Sequence, residues 1–197
     1  MRTGVIFLAA CVVGLAGCQT AAPGGPVVAT SAEPGWQGGP EVGLKAPLIR
    51  FTGADGKANV LRPDTEWITI VGFVSSKGKE CCQLSPVLTE AASRYWSKPV
   101  RVVQVSLPTG QCPHGAGCVE TCHVRPLHLM ALCDSGRIAY NAFGHPKDGT
   151  VLLIGGDGKV AGVTTVAGID KIYTEADRLA AEAQQRSLPD YMQTYVD

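Results

Sequence analysis

Residues 67–74 read Trp-Ile-Thr-Ile-Val-Gly-Phe-Val, a nearly continuous apolar and β-branched run. A strand with one exposed face alternates apolar and polar residues, whereas a strand that is covered on both faces does not. The run therefore predicts a central strand of a sheet that has other elements packed on both sides.

A helix is predicted after this strand. Apolar residues recur there at helical spacing, and Ser85-Pro86 suits a helix start because proline is tolerated in the first turn. The apolar positions are Leu84, Leu88, Ala91, Ala92 and Tyr95. Together with a further apolar strand at residues 100–107, these elements predict a βαβ unit.

The remaining patterns predict two hairpins, a short strand and two more helices. The hairpins pair residues 48–51 with 60–61 and residues 150–154 with 160–165; the short strand is 127–133, and the helices are 135–143, ended by Gly144, and 169–183. This order predicts an α/β fold in which helices flank a mixed central β-sheet that begins with an N-terminal β-hairpin.

The length of the chain limits the number of its domains, and its charge limits the class of its partners. With 197 residues, it is long enough for one domain with a proper core and too short for two comfortable ones. Lys and Arg number 17, as do Asp and Glu, and no basic run is present that would follow a phosphate backbone. Nucleic acid is therefore excluded as an expected partner.

The N-terminus carries an export pattern. Arg2 precedes a short apolar stretch at residues 5–15, and Leu15-Ala-Gly-Cys18 follows it. This tetrapeptide resembles the lipobox of bacterial lipoproteins, which implies a signal peptide at residues 1–17 and lipidation of Cys18. The alternative is an ordinary secretory signal with an incidental cysteine. Gln19 favours the outer membrane over the inner one, with the protein facing the periplasm.

Composition divides the rest of the chain. Residues 18–41 are rich in Gly, Pro, Ala and Thr and are interpreted as a flexible tether. Residues 42–188 form the folded domain, within which residues 109–126 are a Cys- and His-rich insertion. Residues 189–197 are a C-terminal tail.

Two motifs point to a family. Gly43-Leu-Lys-Ala-Pro47, before a strand and an Asp-Gly-Lys turn, resembles the opening of the redoxin families. These are the alkyl hydroperoxide reductase and thiol-specific antioxidant group and the membrane-tethered thiol-disulfide reductases. The sequence Val-Leu-Leu-Ile-Gly-Gly-Asp-Gly-Lys-Val at residues 151–160 resembles their terminal hairpin. The resemblance covers residues 42–186 in element order and implies a thioredoxin-like fold.

Cys81 and Cys82 stand where these families keep their reactive cysteine, after the first long buried strand and at the opening of the next helix. A helix N-terminus stabilises a thiolate and lowers the pKa of its thiol, and Lys77 and Lys79 act in the same direction. The site is neither a standard thioredoxin Cys-x-x-Cys nor a standard peroxiredoxin. Gly149 occupies the position where the thioredoxin cis-proline or the peroxiredoxin arginine is expected.

A second group of cysteines lies in the insertion, as Cys112, Cys118 and Cys122. They are candidate resolving thiols for Cys81 and Cys82. Because thiolate and imidazole suit Cu(I) and Zn, the same loop is also a candidate metal site. The Cys118-x-x-x-Cys122 spacing resembles the copper motif of Sco-type chaperones. The alternative ligand set is Cys118, Cys122, His114, His123 and His145.

The cysteine count leaves a third interpretation open. Eight cysteines are present, and loss of Cys11 with the leader and lipidation of Cys18 would leave six. These six, with Cys133 among them, permit many disulfide pairings, and each bridge stabilises a fold by roughly 2–4 kcal/mol. Structural disulfides, in which Cys81 and Cys82 would also take part, would explain the six cysteines without any activity.

The sequence thus supports three functions. The first is an envelope thiol-disulfide oxidoreductase that needs no cofactor, acts on protein thiols and disulfides, and uses Cys81 and Cys82 with Cys112, Cys118 or Cys122. The second is a Sco-like module that binds copper or zinc. The third is a non-catalytic, disulfide-stapled scaffold.

Overall fold

A computed structural model describes residues 28–32, 35–52, 58–63, 65–75, 79–107, 129–134 and 136–186. The described strands are β1 Val28–Ala32, β2 Ile49–Thr52, β3 Ala58–Leu61, β4 Ile68–Ser75, β5 Val100–Leu107, β6 Leu129–Cys133, β7 Thr150–Ile154 and β8 Val160–Thr165. The described helices are α1 Lys79–Arg94, α2 Ile138–Ala142 and α3 Ile169–Arg186. None of these helices is both long and apolar enough to cross a membrane.

The eight described strands belong to one mixed sheet, in the order β3-β2-β1-β6-β5-β4-β7-β8. Strands β4, β5 and β6 run parallel, while β7 runs antiparallel to β4 and β8 antiparallel to β7. As predicted from its apolar run, β4 lies inside the sheet, between β5 and β7. The predicted mixed central sheet is therefore confirmed.

Helices cover the sheet on both faces. On one face α1 and α3 bury a cluster that includes Ile70, Leu88 and Ile172. On the other face α2 and the β1–β3 strands share a cluster that includes Phe73 and Phe143, whose ring centroids lie 5.3 Å apart. Such a two-sided core explains why β4 shows no polar alternation.

Two helix boundaries differ from those that the sequence predicts. Helix α1 begins at Lys79, so Ser85-Pro86 lies inside it rather than at its start. Apolar periodicity misses the first turn because the core-facing positions begin only at Leu84. Helix α2 begins at Ile138 instead of residue 135 because Asp134 accepts hydrogen bonds from the backbone of Ile138 and thereby sets the start.

The predicted tether at residues 18–41 is wrong in its second half. Residues 28–32 form β1, which pairs antiparallel with β2 and, through Val28 and Cys133, parallel with β6. The strand is short and only Ala29 among its described side chains is buried, so its sequence carries no clear alternation. Its pairing with β6 is non-local, which a local pattern does not reveal.

The segment after β1 is docked on the domain. The indole Nε1 of Trp36 donates to the Lys45 carbonyl at 2.8 Å, and its ring meets Phe143 edge-on at 5.4 Å. Gly144 has a φ of +67°, and a Cβ there would lie 1.7 Å from the carbonyl oxygen of Gly38. Only glycine permits this backbone contact between the segment and the end of α2.

The buried phenol of Tyr95 predicts a stability loss at alkaline pH. Burial raises the pKa of Tyr95 to about 12 from an ordinary value near 10, and its hydroxyl donates to the Tyr173 carbonyl at 3.2 Å. Folding thus favours the neutral phenol. Its contribution to the free energy of unfolding is fully present below pH 10 and is lost as the pH rises toward 12. We therefore expect the free energy of unfolding, measured with urea, to fall less steeply between pH 9 and 11 in Tyr95→Phe than in the wild type.

Tyr140→Phe is the control for this comparison, because Tyr140 is half-buried and its ring faces His145. Equal slopes for Tyr95→Phe and the wild type over this pH range would contradict the prediction.

Candidate active site

Four strands meet at one end of the sheet, here called the site edge. Strands β4, β5 and β6 end there, since Ser75 is opposite Leu107 and Ser106 is opposite Cys133. Strand β7 begins there, and the N–H of Gly149 donates to the Phe73 carbonyl at 2.9 Å. The carboxyl ends of parallel strands are where sheets of this kind bind their ligands.

The backbone of Cys81 and Cys82 lies at this edge, in the first turn of α1. The helix starts at Lys79, four residues after the end of β4. The first backbone N–H groups of a helix have no partner within it, and they favour negative charge. The placement matches what the redoxin resemblance implies, and a thiolate in this turn would be stabilised.

Pro86 weakens the connection between this turn and the rest of α1. In a regular helix, the N–H of residue 86 would donate to the carbonyl of Cys82, and proline has no N–H. Further along, the Thr89 hydroxyl donates to the Ser85 carbonyl at 3.0 Å. One backbone hydrogen bond fewer therefore holds the cysteine turn to the helix body.

Asp134 is a residue at the site edge that sequence reasoning missed. It follows Cys133, is fully buried, and donates its own N–H to the Ser106 carbonyl at 2.9 Å. Its carboxylate accepts from the N–H groups of Ile138, Ala139 and Tyr140 at 2.6, 3.2 and 2.8 Å. An aspartate between an apolar strand and an apolar helix is a helix-cap signal that would have revealed it.

Gly149 differs from the residues expected at its position. Its φ is +79°, a region that proline cannot adopt, and its N–H is used in the bond to Phe73. All described peptide bonds are trans. The site edge is thus closed by a glycine hydrogen bond instead of by an X-proline turn.

His145 is the one proposed metal ligand that falls within the described ranges. It is exposed, with a φ of +59°, and its ring meets Tyr140 edge-on at 5.1 Å. Among the described residues, no three His, Cys, Asp or Glu side chains are grouped to hold a metal ion. The other proposed ligands, His114, Cys118, Cys122 and His123, lie outside these ranges.

The insertion at residues 109–126, including Cys112, lies outside the described residues, as do Cys18 and the predicted signal peptide. The insertion does, however, follow β5, whose last residue Leu107 is at the site edge. The chain therefore leaves the sheet beside α1 when it enters the insertion.

A groove of about 890 Å³ lies at the opposite edge of the sheet. It is bordered by Val42, the β7–β8 turn and the last turns of α3, and none of the described cysteines and histidines lines it. This groove is separate from the cysteine-bearing edge.

Comparison with known proteins identifies the fold. No family model matches the chain, and no curated protein matches it. Among solved structures, it resembles a candidate thiol:disulfide interchange protein DsbE from Chlorobium tepidum, with 20% identity, a TM-score of 0.54, and coverage of 70% of this chain and 98% of that one. It also resembles a candidate thioredoxin from Neisseria meningitidis, with 22% identity, a TM-score of 0.56, and coverage of 72% of this chain and 91% of that one.

A third similar structure belongs to another family. BsSco, a member of the Sco family of cytochrome c oxidase assembly proteins, has 14% identity and a TM-score of 0.52, with coverage of 72% of this chain and 97% of that one. These likenesses establish that the chain has a thioredoxin-like fold, which confirms the prediction from the sequence. A thiol:disulfide interchange protein and a cytochrome c oxidase assembly protein thus both resemble this chain, so function has to be argued from the site.

Proposed function

We propose that this protein is an envelope-anchored thiol-disulfide oxidoreductase in which Cys81 and Cys82 are the primary pair. The observation that carries the proposal is their position in the first turn of a 16-residue helix, directly after β4 and at the site edge. That turn supplies unpaired N–H groups and the positive end of the helix dipole, which lower a thiol pKa. The thioredoxin-like fold supports it as well.

The reaction would be two successive thiol-disulfide exchanges. A thiolate in the α1 turn attacks one sulfur of a partner disulfide, forms a mixed disulfide, and releases the other partner sulfur as a thiolate. A second cysteine of this chain then attacks the mixed disulfide, so that its own disulfide forms and the partner leaves fully reduced. The reverse sequence would oxidise a partner dithiol.

The resolving cysteine is assigned to the insertion. A disulfide between the neighbours Cys81 and Cys82 would close a strained ring, because bridged residues need a separation and geometry that adjacent ones rarely reach. Because the insertion follows β5, which ends at the site edge, we assign the resolving role to Cys112, Cys118 or Cys122. No cofactor takes part in this chemistry.

The Leu15-Ala-Gly-Cys18 motif supports lipidation of Cys18 and a location in the bacterial envelope. With Gln19 next to the anchor, we assign the protein to the outer membrane, facing the periplasm. In an oxidising compartment, exposed cysteines take part in disulfide chemistry, which fits the cysteine count.

The second candidate function is a copper- or zinc-binding module. The similarity to BsSco and the place of His145 on the loop before β7 favour it. The ligands would be chosen among His114, Cys118, Cys122, His123 and His145. Thiolate and imidazole donors fit either metal, and thiolates favour Cu(I).

A redox titration with disulfide mapping tests the proposal. The purified full chain is equilibrated in glutathione buffers, alkylated and mapped by mass spectrometry, and metal content is measured on the same sample. We expect a bridge of Cys81 or Cys82 to be reduced between roughly −120 and −270 mV, the range of thiol-disulfide oxidoreductases. Cysteines that all remain bridged below about −300 mV would overturn it in favour of a stapled scaffold. Stoichiometric bound copper or zinc with reduced cysteines would favour the metal module.

A further inference from the structure

Strand β5 carries two polar residues on the face of the sheet that α1 covers. Val100 and Val102 belong to the cluster buried under α1, and every second residue of a strand shares a face. Gln104 and Ser106 continue this row toward the site edge, where Gln104 is only 5% exposed and Ser106 is half-buried. Polar groups in such a place cost free energy that valines would not, so we expect the pair to do more than fill space.

The two side chains are hydrogen-bonded to each other. The Gln104 Nε2 donates to the Ser106 Oγ at 3.3 Å, so the proton of the Ser106 hydroxyl remains available for donation to another acceptor. On this face, the described residues of β4, β5 and β6 include no Asp, Glu, Lys, Arg or His. In surroundings with so little charge, a hydroxyl donor stabilises an anion strongly.

The sheet-facing stripe of α1 reaches Cys81. Leu88 and Tyr95 belong to this stripe and are fully buried, and residue 81 precedes Leu88 by seven positions, which is about two turns. Residue 82 is about 100° further round the helix, on the flank that carries the half-buried Thr89. Position 81 therefore belongs to the side of the first turn that faces the sheet, and position 82 does not.

The contact between Leu88 and Gly72 shows how far along the sheet the first turn lies. A Cβ at Gly72 would be 2.5 Å from the Leu88 Cδ1, and Gly72 is opposite Gln104 in the sheet. From there, seven helical residues advance about 10 Å toward the site edge, and two strand residues advance about 7 Å. The turn that holds Cys81 thus lies close to the level of Ser106.

We propose that Ser106, held in place by Gln104, donates a hydrogen bond to the thiolate of Cys81 and so makes Cys81 rather than Cys82 the attacking cysteine. Both cysteines are in the first turn, so the helix dipole alone separates them only weakly. Burial at a sheet-facing position disfavours a charged thiolate, and a hydroxyl donor offsets that cost. The inference rests on the proposed function for the use of this thiolate.

Cys133 is the competing acceptor, because it is opposite Ser106 at the end of β6. Cys81 is favoured over it since the N-terminus of α1 stabilises a negative charge at residue 81.

The pH dependence of alkylation tests the hydrogen bond. The reduced full chain, with either Cys82→Ser or Cys81→Ser, is treated with iodoacetamide over a range of pH, and mass spectrometry follows the remaining cysteine of the turn. We expect Ser106→Ala to raise the pKa of the Cys81 thiol by about one unit, which slows its alkylation about tenfold at a pH below that pKa. The same substitution should leave the pKa of the Cys82 thiol unchanged. Ser106→Thr keeps a hydroxyl and should restore the pKa of the Cys81 thiol.

Val74→Ala is the matched control. Val74 is buried on the same face and is opposite Ser106 on β4, so its truncation loosens the packing without removing a donor. We expect the pKa of the Cys81 thiol to stay unchanged in this variant, and a shift as large as that in Ser106→Ala would overturn the proposal.

Four further results would overturn it: no shift for Cys81 in Ser106→Ala, an equal shift for Cys82, a shift confined to Cys133, or no recovery in Ser106→Thr. The proposed function fails separately. If the Cys81 thiol responds as expected but the wild-type chain does not exchange with a soluble disulfide peptide, the hydrogen bond is supported and the oxidoreductase assignment is not.

Discussion

Cys81→Ser is expected to lower the rate of exchange with a soluble disulfide peptide by at least about 100-fold, because a serine hydroxyl does not ionise near neutral pH. Cys81 is the third residue of α1 and Cys82 the fourth. The helix dipole acts over the first turn and is strongest at its start. We therefore expect Cys81 to carry the attacking thiolate and Cys82→Ser to have the smaller effect, below about tenfold.

Stopped-flow measurement of the first exchange step, with each variant of the full chain, checks this order. Ser85→Ala, one turn further along the same helix, is the matched control and should keep the wild-type rate. A larger loss in Cys82→Ser than in Cys81→Ser would contradict the assignment of the attacking residue. Wild-type rates in both cysteine variants would place the attacking thiol elsewhere.

Asp134→Ala is expected to reduce the free energy of unfolding by about 3 kcal/mol, as three backbone N–H groups lose a charged acceptor in a buried place. Asp134 has no exposed surface, and α2 depends on it for its start. Urea unfolding followed by circular dichroism measures the change.

Asp157→Ala is the matched control for this substitution. The Asp157 carboxylate also accepts a backbone hydrogen bond, from the Lys159 N–H at 3.0 Å, but in an exposed turn. We expect a loss below about 1 kcal/mol there, since water replaces the lost acceptor. Similar losses for the two variants would show that burial of the Asp134 carboxylate is not what makes it important.

The parts of the fold that sequence predicted are those that local patterns encode. The apolar run of β4, the strand β5 and the stripe of α3 follow directly from their periodicity. The β7–β8 hairpin follows from its Asp157-Gly158-Lys159 turn between two apolar runs. Together with the redoxin resemblance, these were enough for a thioredoxin-like fold.

What sequence missed depends on contacts between distant residues. Strand β1 is stabilised by pairing with β2 and β6 and by packing of the segment around Trp36, none of which has a local signature. Asp134 matters because backbone N–H groups of α2 donate to its carboxylate, and Gly144 matters because the Gly38 carbonyl oxygen lies against it. For the site, the redoxin resemblance put the backbone of Cys81 and Cys82 at the opening of α1, whereas apolar periodicity started that helix only after them.

The join between β1 and β6 has a mechanical consequence. One register pair, Val28 with Cys133, connects the β1–β3 ribbon to the rest of the sheet on that side, and the Trp36 and α2 contacts reinforce it. A pulling force on the N-terminus would load this connection before it reached β4, which is paired with β5 along its whole length and with β7 over residues 69–72. Strands β1–β3 would thus unfold under tension as a separate cooperative unit, while the inner strands and α1 stayed folded.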